Sequence, residues 1–154
     1  MNNIKYYKDY WERKTSGLLN PKWSYEEDFN ELKFFLGKKK YDCLELGCGN
    51  GDLYAVARDY YINYTGVDFS ASNIEMFRTK FPKIKLLCED IVNFRPESKM
   101  SLIHSNQLIQ FLTKSQIEKL IKWNVQNIKD GGIIVHRQIP DKKLMSLYFS
   151  GYLK

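Results

Sequence analysis

The sequence has no run of about 18 apolar residues, so no membrane-spanning helix is expected. Its opening stretch, MNNIKYYKDYWERK, is too polar for a secretory leader. Both absences point to a cytoplasmic chain without a membrane partner. Cysteine is scarce: Cys43, Cys48 and Cys88 are three, an odd number without paired spacing, which argues against a disulfide framework. Zinc sites need tighter ligand clusters than these, so no metal is expected. Cys43 and Cys88 fall in predicted strands and read as buried thiols in a reducing compartment. Neither an internal repeat nor a low-complexity linker divides the 154 residues, a length that suits one domain with a real core. The net charge is +6, with a short run at Lys38, Lys39 and Lys40. Such a run is a solvated loop or a nucleic-acid patch, and the solvated loop is the expectation.

What the sequence does hold is LELGCGNGDL, Leu44 to Leu53, with glycines at 47, 49 and 51 and a carboxylate, Glu45, inside the preceding apolar run. The surrounding pattern gives its context. Ser24 to Glu27 reads as a capping box for a helix carrying Phe29, Leu32 and Leu36, with Gly37 as its stop. Tyr41 to Leu46 is a short strand, and Asp52 to about Tyr60 a helix. A second strand covers Tyr64 to Val67 and ends at Asp68. Ser72 to Glu75 reads as another capping box, followed by Ile74, Phe77 and Phe81 on one face and closed by Pro82. Ile84 to Cys88 is a third strand, followed by Glu89 and Asp90, and Met100 to Ser105 a fourth. Thr113 with Gln116 caps a long helix whose apolar face is read as Ile117, Leu120, Ile121, Val125 and Ile128. Gly131 and Gly132 turn the chain into a fifth strand, Ile133 to Gln138, ended by Pro140.

Strands that alternate with helices predict an α/β fold: a Rossmann-like parallel sheet with right-handed crossovers and helices on both faces. Ligands of such sheets bind outside the carboxyl ends of the strands, where every unusual polar cluster of this sequence falls. A glycine loop there lets a ligand approach the backbone. Its N–H groups, with the helix N-terminus behind them, favour a negative group. A dinucleotide pyrophosphate and the carboxylate end of S-adenosylmethionine both suit it. The dinucleotide fingerprint, G-x-G-x-x-G, fails here because Asp52 stands where its third glycine would fall.

LELGCGNGDL resembles the first motif of the class I S-adenosylmethionine-dependent methyltransferases. YTGVDFS (Tyr64 to Ser70) resembles the second and LLCEDIVNF (Leu86 to Phe94) the third. SLIHSNQLIQFL (Ser101 to Leu112) and KDGGIIVHRQIPDKK (Lys129 to Lys143) resemble the fourth and fifth. The likeness covers roughly Tyr41 to Lys143 and implies S-adenosylmethionine as cofactor, with S-adenosylhomocysteine as product. It implies that Gly47, Cys48, Gly49 and Gly51 shape a loop around the methionine part, and that Glu45 orients the loop and the cofactor's ammonium. Asp68 would accept from both ribose hydroxyls, or else simply cap the next helix. Phe69 would pack on the adenine, unless it is core. Asp90 would accept from the adenine amino group, with Ile91 beside the ring and Glu89 in the same set. Ser105 and Asn106 would line the methionine and reactive-methyl side. In such enzymes a leading segment folds over the cofactor; here that puts Tyr10 and Trp11 in the binding set, with a helix packed on the sheet as the structural alternative.

Methyl transfer to a hydroxyl also needs a base. Of the two histidines, His104 lies inside the fourth strand and reads as packed, while His136 is the candidate base. Gln110 stands where relatives often have a histidine. SNQL after the fourth strand lacks the prolines of the amino-methylating nucleic-acid enzymes, so no nucleic-acid partner is expected. IPDKK resembles bacterial enzymes that methylate sugars or small metabolites, often in surface-polysaccharide synthesis. The alternatives are a cofactor-binding module with an incomplete acceptor site, or a dinucleotide oxidoreductase. The expected layout is one domain: residues 1–37 as an N-terminal cap, 41–139 as the cofactor-binding core and 140–154 as the start of a C-terminal part. The family's usual strands 6 and 7 have no counterpart in the sequence. The fifth strand is then an open apolar edge, which predicts either a longer parent protein or a homodimer across that edge.

Overall fold

The computed structural model describes residues 25–139. The order of elements is α1 (Tyr25–Leu36), β1 (Tyr41–Leu46), α2 (Asp52–Ala57), β2 (Tyr61–Asp68), α3 (Ala71–Lys80), β3 (Lys85–Cys88), β4 (Met100–Asn106), α4 (Lys114–Asn127) and β5 (Ile128–Arg137). Five strands form one sheet in the order β3-β2-β1-β4-β5, and all four pairings are parallel. The expected fold class is observed, with β1 at the centre.

β1 shows why the sheet is sandwiched. Its side chains alternate between faces, and both faces are buried. Cys43 joins Leu32, Leu36, Tyr54, Tyr61, Tyr64, Ile74 and Phe77 in a core layer under α1, α2 and α3. Leu44 and Leu46 join Val67, Ile103, Leu120 and Trp123 in a second layer under α4. Rings fill the first layer: Tyr54 lies 4.6 Å from Tyr64 and 5.3 Å from Phe77, centroid to centroid.

Local chemistry sets most boundaries. α1 stops where Gly37 takes φ 61° and its N–H bonds back to Lys33. Ser24, the residue expected to cap this helix, lies outside the described residues. α4 begins at the expected capping box, Thr113 with Gln116.

Other expectations are corrected. α3 is capped by Ser70, whose hydroxyl accepts from Asn73 N–H; Ser72 lies inside the first turn. The helix after the glycine loop is short, ending at Ala57 before a 3-10 turn over Arg58–Tyr60. β2 starts three residues before the predicted Tyr64, because Tyr61 pairs with Tyr41 across a bulge. On α4 the buried residues are Leu120, Trp123 and Asn124, while Ile121 and Val125 are exposed. The indole of Trp123 displaces those two from the seam. β5 starts at Ile128, not Ile133: Met100 pairs with Ile128 and Leu102 with Ile133, and the extra residues bulge out through Gly131 at φ 70°. Cys43 and Cys48 are buried, but Cys88 is exposed at the end of the outer strand β3. Lys38, Lys39 and Lys40 are exposed in the loop before β1. Among the described residues no helix is long and apolar enough to cross a membrane.

Candidate functional site

The carboxyl ends of β1, β2 and β4 meet at the glycine loop. Two of its glycines do different work. Gly51 has φ 85°, and a Cβ there would sit 2.5 Å from the Phe77 ring, so this glycine lets α2 close onto α3. Gly49 has φ 53°, and a Cβ there would meet nothing within 4 Å. The loop surface at Gly49 is open, the kind of cradle a ligand can enter.

The loop amides, however, face inward. Gly47 N–H and Cys48 N–H both donate to the Val67 carbonyl, Gly51 N–H donates to Cys48 O, and Gly49 N–H donates to Asp68 Oδ2. The expectation that free loop amides receive a ligand's negative group is therefore corrected at 47, 48, 49 and 51. The four N–H groups hold the loop to β2 and to itself.

Asp68 is buried at the end of β2. Its Oδ1 accepts from Ser70 N–H at 2.9 Å, its Oδ2 from Gly49 N–H at 2.9 Å, and Asn73 adds a side-chain hydrogen bond. Burial nevertheless pushes its pKa up, outweighing these donors. A carboxylate offers about four lone-pair sites, so these three donors leave capacity for a ligand hydroxyl. Of the two readings of Asp68, the structural one is seen in modified form: it braces Ser70, the cap of α3, and it also ties down the loop. Phe69 beside it is half-buried. Asp90, beyond β3, accepts from Val92 N–H through Oδ1, and Ile91 is buried in the α4-side layer. Glu89 is not brought to the loop. Its backbone N–H ties to Asp68 O, and the residue lines a separate cleft of about 450 Å³ with Asp42, Asn63, Lys85 and Lys129.

Glu45 does not touch the loop amides either. It is 2 % exposed and accepts from Tyr64 O–H at 2.6 Å, with His104 Nε2 at 4.0 Å. Burial raises its pKa to about 8, against the lowering effects of Tyr64 and Arg137. His104 lies alongside, its Nε2 3.3 Å from Tyr61 O–H, and burial drops its pKa to about 3, so it is neutral. His104 is the packed residue the sequence suggested.

Ser105 and Asn106 part company, as neighbours on a strand must. Ser105 is fully buried, with its hydroxyl 2.7 Å from His136 Nδ1. His136 Nε2 lies 2.9 Å from Asn124 Nδ2. Both ring nitrogens of His136 are thus engaged between β4 and α4, and burial lowers its pKa. The ring offers no free nitrogen to take a proton from an acceptor. Asn106 lies on the other face, where its Nδ2 donates to Asp28 Oδ2 at 2.8 Å.

Asp28 was not singled out from the sequence. It is 1 % exposed on α1, and it also accepts from Gln138 Nε2 through Oδ1, while its main-chain oxygen accepts from Arg137 Nη1. This fastens α1 across the ends of β4 and β5. Gln107 and Gln138, both at positive φ, stand side by side there, Gln107 Nε2 donating to Gln138 Oε1 at 2.8 Å. Non-glycine residues in that region are uncommon and hold backbone strain. Asn106 Oδ1, Gln110 Oε1, Arg137 Nε and Arg137 Nη2 are buried without a hydrogen-bond partner. A carboxylate in the first turn of a helix is commonplace and carries no sequence signature of its own; the HRQ triplet at 136–138 is the visible hint. Tyr10 and Trp11 lie outside the described residues. Among the described residues no group of three or more His, Cys, Asp or Glu is placed to hold a metal ion.

Residues 43–132 match the family described as methyltransferase domain. Phosphoethanolamine N-methyltransferase 3 of Arabidopsis thaliana is 31% identical over 147 residues, covering 85% of this chain and 30% of that protein. Trans-aconitate 2-methyltransferase of Enterobacter sp. (strain 638) is 33% identical over 102 residues, covering 65% of this chain and 39% of that protein. The chain therefore spans about a third of the length of these curated relatives. Among solved structures, the N-methyltransferase NodS from Bradyrhizobium japonicum WM9, in complex with S-adenosyl-L-homocysteine, aligns with a TM-score of 0.66 at 20% identity. That alignment covers 72% of this chain and 60% of NodS, and the likeness is one of fold.

Proposed function

Because this chain belongs to the methyltransferase domain family, we propose that it binds S-adenosylmethionine along the carboxyl ends of β1, β2 and β4 and transfers the methyl group to a small-molecule or sugar acceptor. The observation that carries this reading is the pairing of an open loop surface at Gly49 with a buried, braced carboxylate at Asp68. When bound, the cofactor supplies an electrophilic methyl carbon on a sulfonium.

The chain's residues do the holding. Gly47, Cys48, Gly49 and Gly51 form the floor under the methionine part. Asp68 accepts from one ribose hydroxyl through its remaining lone pair, and three existing donors fix its position beforehand, so little ordering remains when the sugar arrives. Phe69 lies against the adenine, and Asp90 and Ile91 meet its edge. Asn106 faces the amino-acid tail. Ser105 and His136 hold β4 to β5 and α4 from behind, as positioning residues. The names of the relatives, which include phosphoethanolamine and trans-aconitate methyltransferases, support a small-molecule acceptor. A place in surface-polysaccharide synthesis rests on IPDKK, of which only Ile139 lies among the described residues. The outer edge of β5, with Ile139 exposed beyond its end, is our proposed contact for a second copy.

One observation favours a second reading, a cofactor-binding module without turnover. The ends of β4 and β5 present amides, both ring nitrogens of His136 are engaged, and His104 is fully buried within the sheet layer, away from any acceptor.

Calorimetric titration with S-adenosylmethionine and S-adenosylhomocysteine tests the cofactor. Chromatography for released S-adenosylhomocysteine with candidate acceptors separates enzyme from module. Asp68→Ala is expected to weaken S-adenosylhomocysteine binding on the order of 100-fold, through loss of a charge-assisted hydrogen bond and of the loop's anchor. Equal affinity in the variant, or no affinity in the parent chain, overturns the proposal.

A further inference from the structure

The proposed ligand ends in an α-amino acid, and its carboxylate needs a partner. The loop amides at 47, 48, 49 and 51 are already committed to Val67, Asp68 and Cys48. Among the described residues, Arg137 is a buried cation at the strand ends. It is 6 % exposed at the end of β5, on the sheet face that carries Glu45 and α1. Its Nη1 is occupied by the Asp28 main-chain oxygen, and Glu31 approaches the same nitrogen at 3.5 Å. Its Nε and Nη2 have no partner, although both are shielded from solvent. Those two N–H groups lie parallel along one edge of the guanidinium, the edge that a carboxylate meets with both oxygens. Buried donors left unpaired call for an explanation.

Asn106 is the strand partner of Arg137. Asp28 holds its Nδ2, which turns Oδ1 away, and Oδ1 is likewise buried and unpaired. An unpaired acceptor therefore stands beside an unpaired double donor. Together they complement a zwitterion, ammonium on one side and carboxylate on the other. The register places them close to the loop: Leu46 is level with Ser105, and Asn106 with Arg137, so Arg137 stands two strand spacings, about 10 Å, from Gly47. The guanidinium is held on the α1 side by the Asp28 main-chain oxygen, and a four-carbon tail reaches toward it from the loop.

We infer that the Nε–Nη2 edge of Arg137 receives the carboxylate of the cofactor's methionine tail, while Asn106 Oδ1 accepts from its ammonium. This rests on the cofactor proposed above. It makes Arg137 a binding residue in its own right, beyond its part in fastening α1.

The test compares S-adenosylhomocysteine with its decarboxylated analogue, S-adenosyl-3-thiopropylamine, by calorimetry on the full 154-residue chain and its variants. The analogue keeps the nucleoside, sulfur and amine and lacks only the carboxylate. The parent chain is expected to prefer S-adenosylhomocysteine by roughly 100-fold. In Arg137→Gln the preference is expected to fall below about threefold, and Arg137→Lys, a point charge without the fork, to retain about tenfold. A merely structural role would weaken both ligands equally and leave the ratio intact, so an unchanged ratio in a folded variant overturns the inference. If Arg137→Gln does not fold, Arg137→Lys decides by the same ratio. A parent chain that binds neither ligand overturns the cofactor proposal and this one with it. A parent that binds both equally overturns this one alone.

Discussion

Gly49 and Gly51 have the same residue type and similar backbone, yet their substitutions should be felt in different measurements. Alanine at 51 adds left-handed strain to a collision with the Phe77 ring, which is itself fully buried and held by Tyr54, Tyr64 and Phe81. Gly51→Ala is expected to lower unfolding free energy by about 2–4 kcal/mol in urea titration. Gly49→Ala meets open space, so its cost in the free protein is strain alone, about 1–2 kcal/mol. If a ligand covers that surface, Gly49→Ala is also expected to weaken S-adenosylhomocysteine binding at least about tenfold, through the close approach its Cβ prevents. Both glycines were visible in the sequence as parts of one motif. Which one faces a helix and which faces open space was not, because that depends on Phe77, 26 positions away in the chain.

Among the elements, α1 is held by Asp28 as well as by its apolar seam. Phe34 and Phe35 are exposed, so Leu32 and Leu36 are its fully buried apolar anchors. Asp28→Ala strips a partner from Asn106 and Gln138 and is expected to destabilise by roughly 2–4 kcal/mol. Hydrogen exchange should then show α1 amides losing protection before those of β1. The strands and most helices were legible because apolar spacing, glycines and the Thr113–Gln116 box act locally. α4 shows where that legibility ends. Ile121 and Val125 were placed on its buried face by hydrophobicity, but Trp123 takes that space with Phe94 at 6.0 Å and Arg95 over its ring. The bulge at the start of β5 was also hidden, since its register is set by Met100 and Leu102 on another strand.

The whole molecule carries a buried polar layer between the sheet and α1, and its charges make stability pH-dependent from both sides. Glu45 has a folded pKa near 8, above its ordinary value of 4.5. Its contribution is complete below about pH 4.5 and is lost as pH rises through about 8. His104 has a folded pKa near 3, below its ordinary 6.5. Its contribution is complete above about pH 6.5 and is lost as pH falls through about 3. Between about pH 4.5 and 6.5 the two slopes oppose one another, so a plateau is expected there, with stability falling on either side by at most about 1.4 kcal/mol per pH unit for each group. Urea midpoints measured across pH 3–9 check this. Glu45→Gln should flatten the alkaline limb and leave the acid limb in place.

The central position of β1 also bears on how the chain is made. β1 leaves the ribosome early and finds β2 some 20 residues later, but its other neighbour, β4, begins about 60 residues after β1. At ordinary elongation rates of about 5–20 residues per second, that edge of β1 waits roughly 3–12 s for its partner. During this interval Leu44 and Leu46 have no β4 or α4 to cover them. The nascent chain therefore offers an unpaired apolar strand to chaperones, or to neighbouring chains, before the rim that holds the proposed ligand exists.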